Sequence, residues 1–261
     1  MPDGEDLSVE LFDLGGRVAV VTGGNRGIGL GIARGLARAG ASIAIWARDE
    51  ARSREAQAEL EALGAEVLAV ACDVASESDV VRATRATVER LGRIDIGFAN
   101  AGFLASGDPL RLSLADWRGL LAVNLDGAFL TFRELARHML ERGGGGKLVA
   151  IGSISERFGT PRQAHYAASK AALGSLVRSF AVELARHDVQ VNAILPGWIA
   201  TEATEPAMAQ APLHEAILRR TPARRWGAPQ DLEGIAVYLA SDASRFHTGD
   251  SIRVDGGYSI F

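Results

Sequence analysis

The sequence predicts an α/β fold: a single domain doubly wound around a seven-stranded parallel sheet. From Arg17 onward, short apolar runs alternate with helical stretches, the pattern of parallel strands buried on both faces. Each strand leads into a helix instead of a tight turn, which implies crossovers and not hairpins. The glycine-rich or polar positions that follow the strands fall where such sheets take ligands, at the carboxyl ends. Gly23 to Gly29, Asp73 and Ser153 are the clearest of these.

The elements follow in order. Residues 1–13 read as a polar tail ending in an apolar anchor, Leu11-Phe12. Val18–Val21 is the first strand, and a helix from Ile28 to Ala39 is closed by Gly40. Ser42–Trp46 is the second strand, followed by a helix rich in Arg, Glu and Ala that stops at Leu63-Gly64. Val67–Ala71, a helix from Ser76 to Leu91, and Ile94–Ala99 come next. A long helix, Leu114 to Glu141, ends at the four glycines Gly143 to Gly146, read as a solvated turn. Lys147–Ile151, a helix over Ala164–Arg186 and Val189–Ile194 lead to Pro196-Gly197. Residues 198–229 read as a substrate loop or lid holding a helix at Pro206–Arg219. A helix from Asp231 to Ala240 and a strand at Ser251–Val254 complete the domain.

Composition narrows the function. At 261 residues, 48% of them hydrophobic, the chain can bury one large core without staples. A formal charge of −4 gives no basic footprint for nucleic acid. Cys72 is the single cysteine, which excludes an intrachain disulfide and a cysteine metal site. The five histidines, His138, His165, His187, His214 and His247, lack metal-ligand spacing, so no metal is expected; His165 is expected to face away from its neighbour Tyr166. The acidic start is unlike a secretory signal, and no apolar run nears the roughly 18 residues of a membrane span. A cytoplasmic protein without membrane contact is the expectation.

The chemistry concentrates between Ser153 and Lys170. Tyr166 and Lys170 are four apart and share a helix face. A phenol titrates near 10, and a neighbouring ammonium should pull it toward the working range. Ser153 follows the fifth strand, with a hydroxyl able to hold a carbonyl oxygen. The chain has only two lysines, Lys147 and Lys170, among many arginines, so a lysine here suits a site wanting a compact, mobile ammonium. Together these residues form a candidate Ser/Tyr/Lys acid–base site.

The turn Gly23, Asn25, Arg26, Gly27, Ile28, Gly29 lies between a buried strand and a helix, where backbone can approach a pyrophosphate at a helix N-terminus. The second strand ends at Ala47-Arg48, without the carboxylate that holds the ribose hydroxyls of NAD. Arg48 and Arg26 could clamp a 2′-phosphate, which selects NADP, with NAD as the alternative through Asp49 or Glu50; both arginines could instead be surface charges. Asp73-Val74 would receive an adenine or cap the next helix. Asn100-Ala101-Gly102 gives small residues where backbone passes close to a cofactor, and Asn124 is either a satisfied buried amide or the holder of a water.

This ordered set resembles the short-chain dehydrogenase/reductase family, in its 3-oxoacyl reductase-like or gluconate dehydrogenase-like branch. The resemblance runs from Leu14 to the C-terminus, with one departure, Ala99 where the family has a further Asn. It implies an NAD(P)-binding Rossmann fold and a homotetramer, or a homodimer, built on the Asn124 and Tyr166 helices. It also implies that Tyr166 exchanges the proton, Ser153 polarises the carbonyl, Lys170 holds the nicotinamide ribose and Asn124 anchors a relay water. Pro196, Gly197, Ile199 and Thr201 would line the carboxamide. A small carbonyl or alcohol is the expected substrate: a ketone or 3-oxoacyl group first, a sugar or polyol second. A cofactor-binding regulatory module without turnover is the reading from another class. Phe103, Leu104, Ser155, Glu156, Phe158, Trp198 and the 200–225 segment are expected to line the pocket. Arg219, Arg220, Arg224 and Arg225 would either meet an anionic substrate or form a solvated face.

Overall fold

A computed structural model describes residues 10–261, so residues 1–9 of the expected tail lie outside the described part. Seven parallel strands form one sheet in the order β3-β2-β1-β4-β5-β6-β7. They are β1 (Val18–Thr22), β2 (Ser42–Ala47), β3 (Val67–Ala71), β4 (Ile96–Ala99), β5 (Gly146–Ile151), β6 (Val189–Pro196) and β7 (Ser251–Val254). β1 pairs with β2 on one side and β4 on the other, so the chain reverses its direction of travel there and opens a crevice above β1 and β4.

The period-2 alternation of each strand divides the core into two layers. Ala19, Val21, Ile43, Ile45, Ile96 and Phe98 face α1 (Gly27–Arg38), α2 (Glu50–Glu61) and a later helix, Glu233–Ala240. Val20, Ala44, Trp46, Leu148 and Ala150 face the opposite layer. That layer holds α3 (Glu77–Leu91), α4 (Leu114–Leu121), α5 (Gly127–Arg142) and α6 (Ala164–Leu184). Trp46 is fully buried, and its indole N–H donates to Thr87 Oγ1 at 3.0 Å, which explains a Trp in a closed core. Two short helices, α7 (Glu205–Met208) and α8 (Ala211–Arg220), precede the last one, α9 (Glu233–Ala240).

Boundaries shift where a local polar demand competes with the apolar pattern. β4 begins at Ile96, not Ile94, because Asp95 turns its carboxylate to the Val18 N–H at 3.0 Å and to Arg93. The anchor of the N-terminal segment is the fully buried Leu14; Leu11 and Phe12 are largely exposed. The long helix is interrupted by a π-helical turn, Ala122–Asp126. The helix expected over Pro206–Arg219 splits in two, and Pro212 starts the second half, where a missing N–H costs nothing. Asp231 lies in a 3-10 turn, Pro229–Leu232, so the helix proper starts at Glu233. Of the four glycines, Gly143, Gly144 and Gly145 have positive φ, but Gly145 is buried against Asp188 and Gly146 opens β5. Only the first two form a solvated turn.

Lys147 in β5 is 4% exposed, and its ammonium reaches Ser244 Oγ at 3.2 Å. Burial pulls its pKa down to about 8. A lysine depressed in the folded state opposes folding fully below that value, and the penalty fades as pH rises toward the unfolded value of about 10.4. Lys147→Met keeps the length and drops the charge, while Ser244 still donates to the Leu239 and Ser241 carbonyls. It is expected to raise the unfolding free energy by about 1–2 kcal/mol at pH 7, with the gain shrinking by pH 10. Thermal melts at the two pH values check this.

Candidate active site

The crevice is set by the ends of β1 and β4. Thr22 Oγ1 accepts from the Asn100 and Ala101 N–H groups, each at 2.9 Å. The Asn100 side-chain amide donates back to the Thr22 carbonyl at 2.8 Å and the Gly23 carbonyl at 3.2 Å. The turn that follows holds Gly23 at φ +62° and Gly27 at φ +52°, conformations that favour glycine. Asn25 ties this turn to α2 through the Asp49 carbonyl at 3.3 Å and Ser53 Oγ at 3.2 Å. Arg26 precedes α1 without giving it a side-chain cap, so first-turn N–H groups of a twelve-residue helix stay open to an anion.

At the other end, β5 runs into Ser153, whose Oγ accepts from the Ser155 N–H at 3.1 Å as a short turn begins. Tyr166 lies in the first turn of α6 and Lys170 one turn on. The Lys170 ammonium donates to the Ile151 carbonyl at 2.7 Å and sits 5.8 Å from the Tyr166 ring centre. Burial pulls Lys170 down to about 8. The same burial raises Tyr166 above its ordinary value, with the Ser153 hydroxyl acting the other way. The expected lowering of the phenol by its neighbour is therefore not what this environment produces: desolvation of the phenolate outweighs an ammonium bonded elsewhere.

Asn124 occupies the π-helical turn, buried. Its Nδ2 donates to the Phe103 carbonyl at 3.0 Å, and its Oδ1 accepts the Phe103 N–H at 3.0 Å. The bonds describe a satisfied amide that pins the irregular segment following Gly102, with Ser169 Oγ of α6 at 3.4 Å from Nδ2. Asp73 closes a local turn by accepting from Ala75 N–H at 3.1 Å. Ser76, not Asp73, caps α3.

All the predicted catalytic and cofactor-binding residues except Asn124 line one continuous cleft of about 930 Å³, whereas Ser155, Glu156, Phe158 and Trp198 of the expected substrate pocket do not. Its walls include Ser153, Tyr166 and Lys170 at the β5–α6 end, Pro196, Gly197, Ile199 and Thr201 after β6, and Arg26 and Arg48 above β1 and β2. Phe103 and Leu104 also line it, whereas Phe158 and Trp198 join an aromatic cluster with Tyr258 and Trp226. Glu156 is half-buried with one oxygen unpartnered, and burial pushes its carboxyl up. Of the four arginines, Arg225 pairs with Asp231 at 2.6 Å and Arg224 donates to the Arg219 carbonyl at 2.9 Å. Arg220 lies over the Tyr258 ring at 4.3 Å and the Phe158 ring at 5.1 Å, without an ion pair among the described residues. His165 is absent from this cleft but buried, against a second hollow of about 510 Å³.

Among the charged residues of the cleft, Arg52 escapes the sequence reading, and Glu202 falls in the 200–225 segment expected to line the pocket without being singled out. Arg52 lies in the first turn of α2, four residues after Arg48, and a face-by-face reading of that stretch would have found it. Glu202 gives no such signal, since its partners are 150 and 176 residues away. Among the described residues no helix is long and apolar enough to cross a membrane, and no cluster of three His, Cys, Asp or Glu could hold a metal ion.

A family profile described as enoyl-(acyl carrier protein) reductase matches residues 23–259. Gluconate 5-dehydrogenase of Gluconobacter oxydans is 38% identical over 251 residues, covering 96% of this chain and 98% of that protein. Among solved structures, a short-chain type dehydrogenase/reductase from Mycobacterium marinum superposes with a TM-score of 0.92 at 37% identity, over 96% of this chain and 98% of that one. A gluconate 5-dehydrogenase from Burkholderia cenocepacia, in complex with NADP and tartrate, gives 0.93 at 37% identity, over 97% and 99%.

Proposed function

The chain belongs to the short-chain dehydrogenase/reductase family of oxidoreductases, and from that premise we propose that it moves a hydride between NADP(H) and a secondary alcohol or ketone of a sugar acid. The observation that carries this reading is the joining of two chemistries in one cleft. Ser153, Tyr166 and Lys170 converge at one end, while Arg26, Arg48 and the open N-terminus of α1 wait at the other. The cleft fits a dinucleotide on its own terms: its volume suffices, its turn is glycine where backbone must come close, and its donors suit phosphate. Asp49 spends its carboxylate capping α2 at 3.1 Å, which favours NADP over NAD.

When bound, the nicotinamide supplies or takes the hydride. The chain's own residues do the rest. The Ser153 hydroxyl holds the substrate oxygen, and Tyr166 gives that oxygen a proton in reduction or removes it in oxidation. Lys170, fixed by the Ile151 carbonyl, holds the ribose and favours the phenolate as it forms. Asn124 keeps the Phe103 backbone in place behind them.

A sugar acid is preferred to a 3-oxoacyl thioester because relatives over nearly the whole chain are named for gluconate. Arg220, held between two rings and free of carboxylates among the described residues, suits an anionic substrate. A binding module without turnover would have no use for the Ser/Tyr/Lys set. We also take the whole chain as one cofactor-binding domain with residues 198–229 as its lid, working in the cytoplasm as a homotetramer or homodimer. The exposed Phe129 of α5 and Val182 of α6 support that assembly.

The test is nicotinamide absorbance with NADP⁺ or NAD⁺ over sugar acids and polyols, and with NADPH over 3-oxoacyl thioesters and keto-sugars. Turnover of a sugar acid with NADP⁺ at least about tenfold better than with NAD⁺ is expected. Turnover of thioesters alone would sink the substrate assignment, and a preference for NAD⁺ would sink the cofactor assignment.

A further inference from the structure

The cleft above β2 holds three arginines: Arg26 from the glycine turn, Arg48 at the strand end and Arg52 on α2. Arg48 makes no ion pair among the described residues, but the other two share one carboxylate. Glu202 Oε2 accepts from Arg52 Nη1 at 2.6 Å and from Arg26 Nη1 at 3.3 Å. Glu202 comes from the segment after β6, four strands away from β2 in the sheet, which is about 19 Å at the usual spacing. That segment therefore reaches across the cleft to make the contact. All three side chains are substantially exposed, so the arrangement is not a buried structural pair whose loss would unfold the domain.

We propose that Glu202 is a built-in stand-in for the 2′-phosphate of NADP, competing with it for Arg26 and Arg52 and so setting how strongly the cleft prefers the phosphorylated dinucleotide. The inference rests on the NADP reading above and adds two residues to it, Arg52 as a phosphate ligand and Glu202 as its rival. A guanidinium fork takes a carboxylate and a phosphate with the same N–H groups. A phosphate dianion arriving beside Glu202 meets a like charge at short range, so the carboxylate must leave for the phosphate to be held. NAD lacks that phosphate and leaves the contact untouched. The penalty therefore falls on NADP alone. Displacement of Glu202 also frees the segment that leads into α7 and α8, so phosphate recognition and the position of the lid are one event.

The experiment measures dissociation constants by titration calorimetry for NADP⁺, NAD⁺, 2′,5′-ADP and 5′-AMP, in wild type, Glu202→Gln and Arg52→Gln. Gln keeps the length of Glu and removes only its charge. Glu202→Gln is expected to tighten NADP⁺ and 2′,5′-ADP by about three- to tenfold, with NAD⁺ and 5′-AMP within about twofold. Raising salt should shrink that gain. Arg52→Gln is expected to weaken the two phosphorylated ligands about tenfold and spare the others. If Glu202→Gln weakens NADP⁺ and NAD⁺ alike, Glu202 is a strap over any dinucleotide and the proposal falls. Unchanged NADP⁺ binding in Glu202→Gln also overturns it. A wild type that binds 2′,5′-ADP no better than 5′-AMP refutes the NADP reading itself, and the competition with it.

Discussion

Tyr166→Phe is expected to lower kcat by about a thousandfold while leaving the NADP⁺ dissociation constant within about twofold. The ring stays, so the contact with Lys170 at 5.8 Å stays with it. Only the hydroxyl goes, and with it the phenolic proton donor that the cleft places beside Ser153. The pH dependence gives a second signature. Burial holds the phenol above its ordinary value, so alcohol oxidation, which needs the phenolate, should speed up as pH rises. The residual rate of the Phe variant should lack that rise. Stopped-flow single turnovers across pH 7 to about 10 separate chemistry from product release. A variant that keeps a tenth of the wild-type rate would end the assignment of Tyr166.

Gly29→Ala is expected to abolish dinucleotide binding and to cost about 2–4 kcal/mol of stability. A Cβ at Gly29 would overlap the Gly23 carbonyl oxygen and the Asn100 side-chain amide. Neither neighbour can yield, because Asn100 Nδ2 is bonded to the Thr22 and Gly23 carbonyls and Thr22 is bonded back to the Asn100 N–H. The added methyl must therefore open the turn or part the ends of β1 and β4. Gly234 in α9 is the control: nothing lies within 4 Å of its Cβ position, and its φ is not positive. Gly234→Ala should be neutral or slightly stabilising, since alanine is the better helix former and the added methyl meets nothing. Denaturant titration and NADP⁺ titration of the two variants check the contrast; equal behaviour would mean that the overlap at Gly29 is relieved without consequence.

The sheet was legible because parallel strands are buried on both faces, and Val18–Val21 and Ile43–Ile45 advertise this as unbroken apolar runs. The crevice was legible for the same reason, since the strand ends are where the polar and glycine residues begin. What stayed hidden depends on side chains far apart in sequence. Asp95 looks like strand until its carboxylate is seen to hold the Val18 N–H. The pair Arg52–Glu202 joins two exposed, charged stretches whose contact no local pattern reports. Leu11 and Phe12 outscore Leu14 as an apolar pair, yet only Leu14 is covered. Proximity of Lys170 to Tyr166 followed from spacing, but the sign of the phenol's shift followed from burial, which spacing does not report.

The π-helical turn at Ala122–Asp126 makes the length of this helix a coded quantity. A π turn is an α-helix with one surplus residue, and that surplus aims Asn124 at the Phe103 backbone. Deleting a single residue there would restore regular pitch and leave α4 and α5 with their faces in phase, because the wider π turn absorbs the roughly 100° that one extra α residue would add. What would go is the bulged position itself, and with it the aim of Asn124 at the Phe103 backbone. A one-residue loss in this stretch would therefore act on the segment after Gly102 and not on the packing of the helix. The surplus residue is a local device for turning one amide out of the regular ladder.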